Sequence, residues 1–234
     1  MRKAALGFLL LAVLLFVEPY IGKERISLGL EQNRKVTMSN FILRFLGQFR
    51  YTIASYLWMD VEIYHHELGL TGVTSRIGTG NPKKIGEILG LCQLVTRLDP
   101  HFIPAYDVGA WRLISSLGKF KPGFRYLEKG ISHNPDSARL YDTVGTMYFF
   151  DLHNCPKAIP YLNKAVQIAE TKLPLGQRYK FIQSDDLQIL GHCYEMVGSK
   201  RKAIQTWKKV LKILPGYGPA LIRIQKLSRE AQPR

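Results

Sequence analysis

Several residues of this 234-residue chain belong to types that perform chemistry, but their spacing matches no catalytic or metal-binding pattern. His65-His66-Glu67 places three possible metal ligands in succession. Adjacent residues of a helix point to different faces, however, and the H-E-x-x-H pattern is absent. Residues 78–84 combine glycines with two lysines, but they lack the G-x-x-x-x-G-K-S/T spacing of a phosphate-binding loop. Since no G-x-S-x-G nucleophile motif occurs either, we predict no enzymatic activity, no cofactor and no bound metal.

The three cysteines, Cys92, Cys155 and Cys193, are the remaining reactive side chains. None of them forms a C-x-x-C pair. Their odd number and irregular spacing argue against a disulfide framework and against a zinc site. Because cysteine behaves as a small apolar residue when it is buried, we expect all three to pack in the core.

The charge of the chain is strongly positive, with a net charge of +15 and a pI of about 9.8. Residues 199–234 contain ten Lys or Arg residues against one acid, Glu230. This segment is either a solvated face or a surface for phosphate groups of anionic lipid or nucleic acid. Its only aromatic residues are Trp207 and Tyr217, so the aromatic platform that stacks bases is missing and nucleic acid is disfavoured.

The N-terminus begins with two cations, Arg2 and Lys3, followed by an uninterrupted apolar run over residues 4–17. This order is typical of an export signal or a signal anchor. Residues 16–19, Phe-Val-Glu-Pro, lack the small residues of a cleavage site, which favours an uncleaved transmembrane anchor over a cleaved signal. The two cations favour a cytoplasmic N-terminus. We therefore expect the rest of the chain on the periplasmic side of a bacterial inner membrane.

The elements that position the polar and aromatic side chains are predicted from an internal repeat. Residues 106–110 align with residues 141–145 at an offset of 35, and residues 124–130 align with residues 159–165 at the same offset. A third unit follows with Leu190, Gly191, Tyr194, Ala203, Trp207 and Pro215. Repeats of this length are typical of stacked supersecondary units that bury their apolar faces against one another.

These intervals resemble the tetratricopeptide repeat, and the resemblance covers residues 81–234. It implies an all-α fold, a right-handed superhelix of antiparallel helix pairs with a C-terminal capping helix. In each pair a glycine of the first helix, Gly145 or Gly191, is expected to face an alanine of the second, Ala158 or Ala203. The residues assigned to repeat packing are Gly145, Tyr148, Ala158, Ala165, Gly191, Tyr194, Ala203, Trp207 and Pro215.

The predicted organisation has four regions: a transmembrane anchor over 1–22, a juxtamembrane linker over 23–39, a divergent first helix pair over 40–100, and tetratricopeptide pairs with a capping helix over 101–234. Apolar residues at helical spacing predict a helix over 40–68, and a second helix follows over 83–98. The capping helix is predicted over 219–230. The first two units carry one extra residue in their turns, and about eleven residues are added near 171–181.

The first helices of tetratricopeptide stacks line a groove that receives a peptide or a partner helix. The resemblance assigns to this groove Asp107, Trp111, Ile114, Arg139, Asp142, Thr146, Phe149, Phe150, Asp186 and His192. The three aspartates recur at one position of the repeat. Either they form an acidic ladder beside apolar pockets, which suits a neutral or basic apolar segment, or they satisfy local hydrogen bonds and neighbouring cations.

The sequence thus predicts a membrane-anchored adaptor or scaffold that binds a protein partner in the groove of its repeats. No small-molecule substrate is evident. The alternative function is the binding of nucleic acid or anionic lipid through the basic C-terminal face.

Overall fold

The computed structural model describes residues 47, 49–63, 82–172 and 177–230. Every element in these ranges is a helix and no strand occurs among them, so the all-α prediction is confirmed for this part of the chain. None of the helices found there is long and apolar enough to cross a membrane. The predicted anchor and the predicted linker both lie outside the described residues.

The chain divides into two compact units, residues 1–50 and residues 51–234. The described part of the second unit has nine α-helices: α1 (residues 51–63), α2 (Pro82–Leu98), α3 (Ile103–Trp111), α4 (Phe120–His133), α5 (Ala138–Phe150), α6 (Cys155–Lys172), α7 (Gln177–Met196), α8 (Lys200–Ile213) and α9 (Gly218–Glu230). From α2 to α9, each helix packs against the next. In addition, α3 contacts α5 and α5 contacts α7, so the first helices of successive pairs lie side by side.

Local capping explains where several helices begin and end. The Ser137 hydroxyl accepts a hydrogen bond from the Leu140 backbone N–H at 3.4 Å, which caps the start of α5. Gly198 and Gly216 follow α7 and α8 with φ angles of +75° and +83°. Only glycine adopts this left-handed conformation without a steric penalty, so these two glycines allow the chain to turn sharply after each helix.

Close helix approach within two of the pairs depends on glycine. A Cβ atom at Gly145 would lie 2.5 Å from Leu162 Cγ, and one at Gly191 would lie 2.6 Å from Trp207 Cε2. Each of these large side chains stands four residues after the alanine expected to face the glycine, and residues four apart lie on one helix face.

The other residues assigned to repeat packing occupy three kinds of position. Ala158, Ala165, Ala203 and Trp207 are buried, Tyr148 and Tyr194 are half-buried against the core, and Pro215 is exposed just beyond the end of α8. The Tyr148 ring stacks between Phe124 and Tyr161, with ring centroids 4.3 Å and 5.8 Å apart. This aromatic stack joins α4, α5 and α6 across two successive pairs.

The extra residue of the first unit and the insertion between the second and third units are accommodated largely in helices. After α3 the chain continues as a π-helical turn, Arg112–Ser116, which accommodates an extra residue without ending the helix. The insertion near residues 171–181 lengthens both helices around it, because α6 has 18 residues and α7 has 20, against 14 in α4 and α8. The added length of α7 extends the helix that carries Asp186 and His192.

The core lies in layers between the helix pairs. Ala54 and Val61 of α1 pack with Ile88 and Val95 of α2 in one cluster. A second cluster surrounds Tyr106, and a third surrounds Trp207. Each cluster draws side chains from neighbouring pairs, as expected when one pair cannot bury its apolar face alone.

Candidate functional site

An open cleft of about 400 Å³ lies between α5 and α7, the first helices of two successive pairs. It is lined by Phe149, Phe150, Asp185, Gln188, Ile189 and His192. The sequence predicted Phe149, Phe150 and His192 for a groove at this place, and the structure brings these three together. It adds Asp185, Gln188 and Ile189, which the sequence analysis missed.

The missed residues share one face of α7. Asp185, Gln188, Ile189 and His192 follow each other at intervals of three, one and three residues, which places them along a single stripe of a helix. This spacing is visible in the sequence, but the sequence does not say whether the stripe faces the core or the solvent. In the structure, Leu187 and Leu190 face the core, so the stripe of Asp185 and Gln188 lies on the opposite side.

The opposite wall of the cleft is aromatic. The rings of Phe149 and Phe150 meet edge to face, with centroids 4.8 Å apart and planes at 79°. Phe149 is half-buried, whereas Phe150 is 43 % exposed. Together with Ile189 these rings form an apolar surface that is open to a ligand, and burial of such a surface is a large favourable term in binding.

The polar groups of the cleft are held by neighbouring helices. The Gln188 amide oxygen accepts a hydrogen bond from the Tyr217 hydroxyl at 2.7 Å. The His192 ring packs edge to face on Trp207, with centroids 5.0 Å apart. Burial, followed by the positive charge of Arg223, lowers the pKa of His192 below its ordinary value. His192 therefore presents a neutral imidazole to the cleft at neutral pH.

The three recurring aspartates lie on α3, α5 and α7, and Arg139 joins the first two of them. Arg139 donates two hydrogen bonds to one Asp107 oxygen, from Nε at 2.9 Å and from Nη2 at 2.7 Å. The other Asp107 oxygen accepts a hydrogen bond from the Thr143 hydroxyl at 2.7 Å. Arg139 also reaches Asp142 with Nη1 at 3.4 Å, so one guanidinium joins the first two aspartates.

The third aspartate, Asp186, is fully buried, and no hydrogen bond from the described residues reaches either of its carboxyl oxygens. The Asp142 carboxyl nearby accepts a hydrogen bond from the Thr146 hydroxyl at 2.9 Å. Burial, followed by the negative charge of Asp142, raises the pKa of Asp186 to about 10. Burial likewise raises the pKa of Asp142, against the lowering effect of Arg139. Because burial disfavours the charged form of both carboxyl groups, and two neighbouring carboxylates repel each other, the pair should retain one proton at neutral pH.

Arg139 and two threonine hydroxyls satisfy Asp107 and Asp142 from within the protein, whereas the buried Asp186 oxygens have no hydrogen-bond partner in the described part of the chain. Of the two interpretations of the acidic ladder, the geometry at Asp107 and Asp142 matches hydrogen bonds and pairing with a neighbouring cation. Two further residues assigned to the groove are also internal, since Ile114 and Thr146 are both buried. Trp111 is half-buried against the core cluster around Tyr106. The side chains that face solvent in the cleft are those of Phe150 and Asp185. The two helices that carry them, α5 and α7, also carry Asp142 and Asp186.

Comparisons with known proteins bear on the fold. No known protein family matches the chain, and no curated protein matches it either. Among solved structures, the MamA protein is similar at 20% sequence identity with a TM-score of 0.50, covering 72% of this chain and 81% of that one.

Two further solved structures are similar with lower scores. YrrB, described as a TPR protein with an unusual peptide-binding site, has 18% identity and a TM-score of 0.48 over 63% of this chain and 70% of its own. A thermophilic TPR protein of Thermus thermophilus has 14% identity and a TM-score of 0.47 over 78% of this chain and 99% of its own. The stacked helix pairs described above, together with the similarity to MamA, support a tetratricopeptide-type fold.

Proposed function

We propose that this protein is a membrane-anchored interaction module that binds a segment of a partner protein in the cleft between α5 and α7. The observation that carries the proposal is the open apolar wall of Phe149, Phe150 and Ile189 on the first helices of adjacent pairs. A solvent-facing apolar surface inside a concave site is typical of a binding site rather than of an ordinary protein surface.

The lining of the cleft defines the chemistry of the partner segment. Apolar side chains of the partner would pack on Phe150 and Ile189. Asp185 is exposed at the cleft and carries the only carboxylate among its lining residues. A basic residue of the partner would pair with it at modest gain, since exposed ion pairs contribute little. The proposed ligand is therefore an apolar segment that is neutral or carries one cation.

A photo-crosslinking amino acid at position 150 of the full chain, expressed in its native membrane, tests this proposal. We expect a discrete covalent adduct with a partner protein, and we expect Ile189→Ala to reduce the yield of that adduct. The matched control is the same probe at position 222 on α9, where Ile222 is 66 % exposed. Equal adducts from both positions, or an adduct that Ile189→Ala leaves unchanged, would show that the cleft does not bind the partner.

Anchoring through residues 1–22, with the helical body on the periplasmic side, is part of the same proposal. It is supported by the apolar run after Arg2 and Lys3. Protease added to spheroplasts should digest the body while a cytoplasmic marker protein stays intact. Protection of the body until the membrane is dissolved would reverse the proposed orientation.

A second candidate function is binding to an anionic lipid surface through α9. Leu221 and Ile222 are exposed on this helix, which also carries Lys226 and Arg229. Apolar side chains beside cations are typical of helices that lie at a membrane surface. Vesicles containing phosphatidylserine should then retain the protein at low salt and release it at high salt, and Ile222→Ala should weaken retention. Retention by neutral vesicles to the same degree would exclude the electrostatic part of this mechanism.

A further inference from the structure

Three sulfur atoms meet where the start of α6 lies against the end of α7. The Cys155 thiol, at the first residue of α6, donates a hydrogen bond to the Met196 sulfur at 3.5 Å. The Cys193 thiol, one turn before Met196 on α7, neighbours Cys155 in the same buried cluster. The third cysteine, Cys92, lies in a different core cluster.

Two thiols and a thioether are a donor set for a soft metal ion. Thiolate and thioether ligands select Cu(I), whereas carboxylate and carbonyl oxygens suit Mg²⁺ and Ca²⁺. A trigonal metal with bonds of about 2.3 Å to sulfur holds its ligands about 4 Å apart. The 3.5 Å between Cys155 and Met196 is close to that separation. Because methionine has three rotatable bonds, the exposed Met196 side chain can adjust the position of its sulfur relative to the two thiols.

The surroundings of the sulfur atoms provide a route of entry and a protected interior. Cys155 and Cys193 are buried, while Met196 is 65 % exposed and forms the solvent side of the group. Cys155 lies at the N-terminal end of α6, where the helix dipole stabilises a negatively charged ligand. Apolar residues of the same core cluster, including Ala158 and Leu190, enclose the two thiols. Such a shell excludes water from a bound metal.

Among the described residues, no group of three His, Cys, Asp or Glu side chains could hold a metal ion. The sulfur group differs because its third donor is a methionine.

We propose that Cys155, Cys193 and Met196 form a binding site for one Cu(I) ion that links α6 to α7. On binding, both thiols release their protons to solvent and bond to the metal as thiolates, while the thioether donates a lone pair. No electron is transferred, because the ion is bound and released as Cu(I).

Titration of the full-length chain with Cu(I) under anaerobic conditions, against a chromogenic Cu(I) chelator, tests the proposal. We expect one ion per chain. Cys193→Ala should weaken binding more than about 100-fold, since even the loss of an outer-shell partner weakens metal binding about 10- to 100-fold. Met196→Leu should weaken it about tenfold without affecting the fold, because Met196 is exposed. The matched control is Cys92→Ala, which removes a buried cysteine far from the proposed ligands and should leave binding unchanged.

Three results would overturn the proposal. The chain could fail to retain Cu(I) against the chelator, or the Met196→Leu variant could bind Cu(I) as tightly as the wild-type chain. The third result is a Cys155–Cys193 cross-linked peptide recovered from protein purified without reductant. The last result would assign the two thiols to a disulfide.

Discussion

Replacement of Asp186 by asparagine tests whether the buried carboxyl of α7 is neutral. Asparagine has nearly the same size, carries no charge, and can donate a hydrogen bond to Asp142 from its amide group. It therefore imitates the protonated aspartic acid. If Asp186 holds a proton in the folded protein, Asp186→Asn should preserve the fold. It should also remove the contribution of this carboxyl group to the pH dependence of the free energy of unfolding.

The magnitude follows from the pKa of Asp186, which burial and the charge of Asp142 raise to about 10 from an ordinary value of 3.8. Between these values the folded chain binds one more proton than the unfolded chain. Stability must therefore fall as pH rises, by about 1.4 kcal/mol per pH unit. Over the three units from about pH 5 to about pH 8 this amounts to about 4 kcal/mol, which the asparagine variant should not lose.

Urea unfolding of the full-length chain at several pH values, followed by circular dichroism, measures this difference. We expect the variant to gain stability relative to the wild-type chain as pH rises. Asp185→Asn is the matched control, because it removes the exposed carboxylate of the neighbouring residue and should leave the slope nearly unchanged. Parallel pH profiles of the wild-type chain and Asp186→Asn would show that Asp186 is ionised in the folded protein and would refute the reasoning.

Three further substitutions test the packing and the ion pairs. Gly191→Ala should destabilise the chain by about 1–3 kcal/mol in thermal or urea unfolding, because the new Cβ would lie 2.6 Å from Trp207. Gly90→Ala, within α2 and with no atom within 4 Å of the new Cβ, should instead stabilise it by about 1 kcal/mol; a loss of stability there would contradict the open space around α2. Arg139→Met should cost about 2 kcal/mol, since it leaves the largely buried Asp107 without its cation; an unchanged unfolding midpoint would show that the pair contributes nothing.

Much of the helical architecture was predictable because the repeat is local in sequence. The offset of 35 residues, the helical spacing of apolar residues and the glycines after α7 and α8 are each visible within one or two units. Helix α2 was predicted over residues 83–98 and observed at Pro82–Leu98. The capping helix was predicted over 219–230 and observed at Gly218–Glu230. The side chains that come nearest to Gly145 and Gly191, those of Leu162 and Trp207, were not predicted, since the crossing of two helices depends on the whole interface rather than on one pair of small residues.

The residue pattern alone predicts the repeating helix pairs, most of their ends and the recurrence of Asp107, Asp142 and Asp186. The surroundings of these aspartates depend on how the helices stack, because Arg139 pairs with Asp107 and Asp142 while Asp186 is buried beside Asp142. The tertiary structure also decided which side chains face solvent in the cleft, and it brought Cys155 and Cys193 together across 38 residues of chain. Sequence periodicity specifies the face of a helix on which a residue lies, whereas the neighbour of that face is set by how successive pairs stack.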